Sequence, residues 1–438
     1  MRITNFSRSI ALQQRAHQLI PAGAHTYSKA DDQFPELSPG FIVRGKGAYV
    51  WDLDGNQYID WGMGLRSVIL GHAYEPVLSM VREQLELGSN FTRPSPIEVE
   101  LAEILVDTIP SAQMVKYAKN GSDVTAAAVR LARAYTGRKY IAICREHPFF
   151  SFYDWFIGST PVDAGIPEEI KQLTLKFSYN NIASLEELFD SYPGQIAAVI
   201  MEPVQAAPPR ENFLQRVRQL CDQNGTVMIL DEMITGFRMD IQGAQKLFNV
   251  KPDLATFGKA IANGFSLAVL AGKREIMELG GIHHDKPKVF LLSATNGAET
   301  HALAAGIATI NELKKNDVPL YIAGIGQKLI DGINDIAASM NLSQYIRAYG
   351  YPCSPVLEFK DQEGNASLPF RTLFLQETIA GGVLMPYIAV SYAHGECELS
   401  ATLAAVEKAL IVYKKSLSDG LNKYLTGRPV KPVFRKYN

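Results

Sequence analysis

Four short, almost wholly apolar runs constrain this 438-residue chain most: Tyr140–Cys144, Ala197–Met201, Val227–Leu230 and Leu267–Ala271. Each is short enough to be a strand and too short to be an ordinary buried helix. Amphipathic stretches such as Val124–Tyr135 and Asn212–Asn224 lie between them. A strand without a polar side must be covered on both faces, so the alternation argues for an α/β fold built on a mostly parallel sheet. Elsewhere the pattern changes. Ser7–Leu19 reads as a helix, and the alternation in IVRGKGAYVWDLDGNQYIDW around an Asp-Gly-Asn turn reads as a hairpin. After about Ile310 the chain turns helical, then offers short strands at Ser354–Phe359 and Tyr387–Ser391 and a closing helix at Glu398–Lys415. One core does not serve a chain this long. The expected division is a large α/β domain over 71–310 and a smaller α+β domain built from 1–70 and 311–438. The basic, proline-containing GRPVKPVFRKYN is expected on the surface.

Charge excludes several classes of function. The 43 basic and 45 acidic residues are mixed along the chain, giving a net charge of −2, so no basic stripe suits nucleic acid or an anionic membrane. No apolar stretch reaches the ~20 residues of a membrane span, and MRITNFSRSI lacks the apolar core of a signal peptide. Cys144, Cys221, Cys353 and Cys397 form no CxxC pair and sit in or beside apolar runs, which reads as buried, reduced thiols. A cytoplasmic enzyme acting on small molecules is the expectation. No metal site is expected, because adjacent residues such as His283-His284-Asp285 rarely converge on one ion.

The chemistry is concentrated between Ile229 and Gly264. Asp231 closes the run Val227–Leu230, which places a carboxylate at the carboxyl end of a buried strand, where open α/β sheets bind ligands. An unpaired acid there is costly and calls for a cationic partner. Lys259 lies between Leu254-Ala255-Thr256-Phe257 and Ala260-Ile261-Ala262. Desolvation favours its neutral, nucleophilic amine. A lysine that can form an imine, with a carboxylate that can keep a ring nitrogen protonated, is what pyridoxal 5′-phosphate chemistry requires. A phosphate also needs a cradle. Lys119-Asn120-Gly121-Ser122-Asp123 opens a helical segment, and a Gly-Ser turn there directs backbone N–H groups and the positive helix end toward an anion. Read singly, Ser122 or Asp123 is a plain helix cap. Thr295 offers a hydroxyl to the same phosphate, or else caps a helix near His301–Asn311.

Taken together, Gly121-Ser122-Asp123, Glu202-Pro203-Val204, Asp231-Glu232-Met233, Thr235-Gly236-Phe237-Arg238, Gly258-Lys259 and Thr295 resemble the class III pyridoxal-phosphate-dependent aminotransferases, and most of all their glutamate-1-semialdehyde 2,1-aminomutase branch. The resemblance runs from about Ile20 to Tyr413. It implies fold type I, with a mostly parallel seven-stranded sheet, a smaller domain, and a homodimer with shared active sites. It further implies that Lys259 carries the cofactor and Asp231 meets the ring nitrogen, with Met233 against one ring face. Gly121 and Ser122 would bind the phosphate, Thr295 would reach the phosphate of the neighbouring subunit, and Glu202 would lie near the substrate or the phenolic oxygen.

Three departures matter. Asp123 stands where the family has glutamate. The family's Tyr-His-Gly is replaced by a segment in which Phe149 or Phe150 must supply the stacking ring. Lys29 stands where the aminomutase has the arginine that grips the substrate carboxylate, and the loop after Gly158 is shorter than the aminomutase's gating segment. His25, Tyr27, Asp31, Asp32 and Gln33 add a polar, hydrogen-bonding entrance beside Lys29. These changes lean toward a transaminase passing an amino group from an amino acid such as glutamate to a separate carbonyl acceptor, for example an oxidised sugar. The aminomutase making 5-aminolevulinate is the alternative within the class, and a non-catalytic scaffold on the same fold is the alternative outside it.

Overall fold

A computed structural model describes residues 2–204 and 206–437. Its described strands, in chain order, are β1 Ile42–Lys46, β2 Tyr49–Asp52, β3 Gln57–Asp60, β4 Met114–Ala118, β5 Tyr140–Cys144, β6 Thr174–Phe177, β7 Ile196–Met201, β8 Val227–Asp231, β9 Leu254–Phe257, β10 Ala268–Gly272, β11 Ile346–Tyr349, β12 Val356–Phe359 and β13 Val383–Leu384. The chain forms two compact units. One comprises the residues up to Tyr74 with Leu320–Arg435, and the other comprises Glu75–Pro319 with the residues from Lys436 on.

The larger unit is built on a seven-stranded sheet in the order β4-β10-β9-β8-β7-β5-β6. Only β10 runs against its neighbours; β9-β8-β7-β5-β6 are successively parallel. The central strands β7, β8, β9 and β10 are buried at every position, which is why β7, β8 and β10 read as continuous apolar runs. The helices Gly121–Thr136 and Phe213–Asn224 pack on the sheet, the second with Phe213, Leu214, Val217 and Cys221 in a core shared with Val199, Met228 and Leu230. The first helix ends at Gly137, whose φ of 68° is the left-handed conformation that glycine adopts most easily.

The smaller unit holds the antiparallel β1-β2-β3, to which β13 adds in parallel, and the pair β11-β12. Helix Ser7–Leu19 forms as the sequence suggests. One expectation about strands fails in this unit. Residues 387–391 form no strand; the strand lies earlier, at β13, and Ala389 instead donates singly to the Trp61 carbonyl. The basic C-terminal segment lies on the surface as expected, most of its described residues being exposed or half-buried, with one exception. Val430 is buried, and its N–H donates to the Thr372 hydroxyl. Three cysteines are buried, but Cys397 is exposed at the start of helix Glu396–Asp419. No described helix is long and apolar enough to cross a membrane.

Candidate active site

The sheet brings three sequence candidates of the larger unit, Glu202, Asp231 and Lys259, to one edge. Met201 pairs with Leu230 and Asp231 pairs with Thr256, so Glu202, Asp231 and the Gly258-Lys259 turn follow one another across the carboxyl ends of three adjacent strands. Asp231 is 2 % exposed. Its Oδ1 accepts from the Met233 N–H at 3.0 Å and from the Thr256 hydroxyl at 3.1 Å. Burial pushes its carboxyl up to about 6, while the neighbouring Lys259 cation and these two hydrogen bonds pull the other way. An acid held in that balance has unused affinity for a second cation.

Lys259 opens a tight turn at φ 42°, a left-handed conformation that a lysine adopts only at a cost. The residue before it is glycine, and a Cβ there would lie 2.6 Å from the Met233 sulfur, so that side chain would have to move for any larger residue. Gly121 is under the same constraint, with the same sulfur 2.8 Å from where its Cβ would be. Met233 therefore sits against both the helix start and the lysine turn, and the two glycines mark where backbone approaches it most closely.

The helix Gly121–Thr136 is capped by neither sequence candidate. Asn120 caps it, accepting from the Asp123 N–H at 3.1 Å. Ser122 is buried, and its hydroxyl accepts from the Phe152 N–H at 3.0 Å. The carbonyl of Phe150 accepts from the Thr125 hydroxyl at 2.8 Å, and Tyr153 donates to Asp123 at 2.9 Å. The aromatic segment is thus tied along the first turn of this helix. That arrangement separates the two phenylalanines. Phe150 is 2 % exposed and packs edge-on to Phe156, whereas Phe149 is 45 % exposed.

Thr295 is exposed, five residues before helix Thr300–Lys315, so it is not that helix's cap. Its carbonyl accepts from the Asn90 amide at 3.1 Å. His25, Tyr27 and Lys29 are exposed at alternate positions of the smaller unit.

Two contributors escaped the sequence reading. His147 accepts the Glu202 N–H on Nδ1 at 3.0 Å, and burial lowers its pKa to about 4, so it is a neutral tether between the ends of β5 and β7. Glu232 is fully buried and accepts from the N–H groups of Ala244 and Gln245 at 2.9 and 2.8 Å and from the Thr235 hydroxyl. Burial raises its pKa. It folds the loop after Asp231 back on itself. A buried acid directly after a buried acid was the available signal.

A buried carboxylate with affinity for a cation, a lysine beside it, and a glycine-lined helix start form a donor set that fits pyridoxal phosphate: ring nitrogen, aldehyde and phosphate each have a matching group. Comparison with known proteins agrees. The family model described as aminotransferase class-III matches residues 31–387. A glutamate-1-semialdehyde 2,1-aminomutase of Thermus thermophilus is 35 % identical, across 92 % of this chain and 99 % of that protein. Its counterpart from Francisella philomiragia is 32 % identical, across 95 % and 99 %. Among solved structures, the FumI protein of Sphingopyxis sp. MTA144 superposes with a TM-score of 0.86 at 27 % identity, covering 94 % and 98 % of the two chains. An omega-transaminase from Sphaerobacter thermophilus gives 0.84 at 25 %, covering 93 % and 98 %. The chain belongs to the class-III aminotransferases, enzymes of fold type I whose cofactor is pyridoxal phosphate.

Proposed function

We propose that this enzyme is a glutamate-1-semialdehyde 2,1-aminomutase, moving an amino group between neighbouring carbons to give 5-aminolevulinate. One observation carries the choice of substrate: relatives of that name match more than nine-tenths of the chain at 32–35 % identity. The cofactor supplies an aldehyde for amines and a ring that absorbs electron density from a neighbouring carbanion. The protein's own groups do the rest. The Lys259 amine is the covalent anchor and, once released, the base and acid that carry a proton between carbons. Asp231 keeps the ring nitrogen protonated. Gly121 and Ser122 receive the phosphate, and Thr295 serves the phosphate of a second copy in a homodimer. Met233 covers one ring face and Phe149, the accessible phenylalanine, the other. Glu202, oriented through His147, lies toward the phenolic oxygen. His25, Tyr27 and Lys29 select the substrate, with the Lys29 cation meeting its carboxylate. The larger unit serves as the cofactor domain.

The second reading is an ordinary transaminase with a separate acceptor such as an oxidised sugar. It is favoured by lysine at position 29 in place of a forked arginine. One assay decides. The enzyme loaded with pyridoxal phosphate is given glutamate-1-semialdehyde and no keto acid, and 5-aminolevulinate is measured. Steady turnover is expected. No turnover, with an absorbance near ~420 nm that bleaches on adding an amino acid, establishes the transaminase instead. A protein that takes up no cofactor is neither.

A further inference from the structure

The segment 424–435 has no part in the proposed chemistry, yet it is held more firmly than a surface tail needs to be. On one side it is seated on helix Leu368–Ala380. The buried Gln376 amide donates to the Tyr424 carbonyl at 2.9 Å and accepts from the Thr426 N–H at 2.8 Å. Buried Thr372 accepts from the Val430 N–H at 2.9 Å. On the other side the segment grips the turn Asp31–Gln33. Lys431 donates its N–H to the Asp32 carbonyl at 2.9 Å, and its carbonyl accepts from the Gln33 amide at 3.0 Å. Arg435 meets the Asp32 carboxylate at 2.6 Å, and Arg428 reaches Asp31 at 3.6 Å. Asp31 also faces His17, whose ring packs against Gly23. Glu36 lies where a side chain on Gly427 would stand.

Exposed ion pairs one at a time stabilise little. Here two half-buried pairs combine with one backbone–backbone bond and one side-chain amide bond between residues about 400 positions apart, and these links converge on one turn. That turn follows directly on Tyr27–Lys29, the preceding short 3-10 turn. The exposed side chains of His25, Tyr27 and Lys29 are therefore carried on a stretch fixed at both ends, by His17 before it and by the C-terminal segment after it.

We propose that Arg428 and Arg435 are positioning residues for substrate selection: through Asp31 and Asp32 they hold the 25–29 face in its working shape. This rests on the reading above that the face meets the substrate, and the test separates the two. Two variants are made in the full chain, Arg428→Ala/Arg435→Ala and the near-isosteric Thr372→Val, which unseats the segment without changing any charge. Amide exchange over residues 24–34 is followed by mass spectrometry alongside turnover of glutamate-1-semialdehyde, with cofactor absorbance as the check on folding. In both variants exchange at Ala30, Gln33 and Phe34 is expected to quicken, by about tenfold or more in the double variant. KM is expected to rise at least about fivefold while kcat and cofactor absorbance stay within about twofold. Unchanged exchange overturns the strap. Quickened exchange with unchanged KM overturns its part in selection. If His25→Ala and Tyr27→Ala also leave KM unchanged, the reading that this face meets substrate falls with it. If the unaltered enzyme does not turn over the semialdehyde, the proposed reaction falls while exchange still decides the strap, and KM for l-glutamate in the cofactor half-reaction decides its part in selection.

Discussion

Asp231 is the residue at which stability and function pull apart. Its carboxyl is raised to about 6 from the ordinary 3.8. The folded apoprotein therefore holds that proton more tightly than the unfolded chain, and ionising it at neutral pH costs on the order of 3 kcal/mol. In the proposed site a protonated ring nitrogen would offset this cost and so link cofactor binding to stability. Asp231→Asn is expected to stabilise the apoprotein by about 1–3 kcal/mol in denaturant titrations at pH 7.5 while weakening cofactor binding ~100-fold or more. An apoprotein less stable than the parent refutes this account. Lys259 tells a similar story through its backbone. At φ 42° both lysine and alanine are strained, so Lys259→Gly is expected to be about 1 kcal/mol more stable than Lys259→Ala, with neither showing the ~420 nm absorbance. Both residues were legible in the sequence because each is a charge set in an apolar run. His147 was not: its importance lies in a bond to the backbone of Glu202, 55 positions away, which local pattern does not encode.

At the scale of elements, the site depends on how closely backbone approaches Met233. Gly258→Ala and Gly121→Ala each place a methyl within 3 Å of its sulfur. Each is expected to cost about 1–3 kcal/mol and to lower cofactor affinity, and Met233→Ala in the same chain is expected to recover most of the loss. A double variant no better than the single one, by thermal melting and cofactor titration, removes the steric explanation. The strands β5, β7, β8 and β10 were readable from sequence because burial leaves them almost no polar position, whereas β9, interrupted by Thr256, was not read as a strand. The edge strands β4 and β6 were not, since each has positions only partly buried and carries a lysine, at 116 and 176. A half-wet edge needs no apolar run. The misplaced strand at 387–391 has the same origin in reverse: IAV is buried there by packing rather than by pairing.

For the molecule as a whole, acid is the revealing variable. His147 and His394 are buried neutral, with pKa values lowered to about 4. Between pH 6.5 and 4 the unfolded chain binds more protons than the folded one, so stability falls as pH drops through that window. Each histidine removes up to on the order of 3 kcal/mol. Asp231 acts oppositely, because it takes up its proton in the folded state first. His147→Gln is therefore expected to flatten part of the loss of stability between pH 6.5 and 4, measured by thermal unfolding. The large outline of the molecule was legible from alternating apolar runs, but the clasp at 424–435 was not, because its composition is that of a solvated tail. The order of the sheet also bears on synthesis. The turn at Gly121 and Ser122 follows β4, whose sole sheet neighbour among the described strands is β10, and β10 comes after Lys259. A nascent chain emerging from the ribosome thus has Gly121, Ser122, Asp231 and Lys259 translated before β10, and β4 joins the sheet only once residues 268–272 have left the exit tunnel.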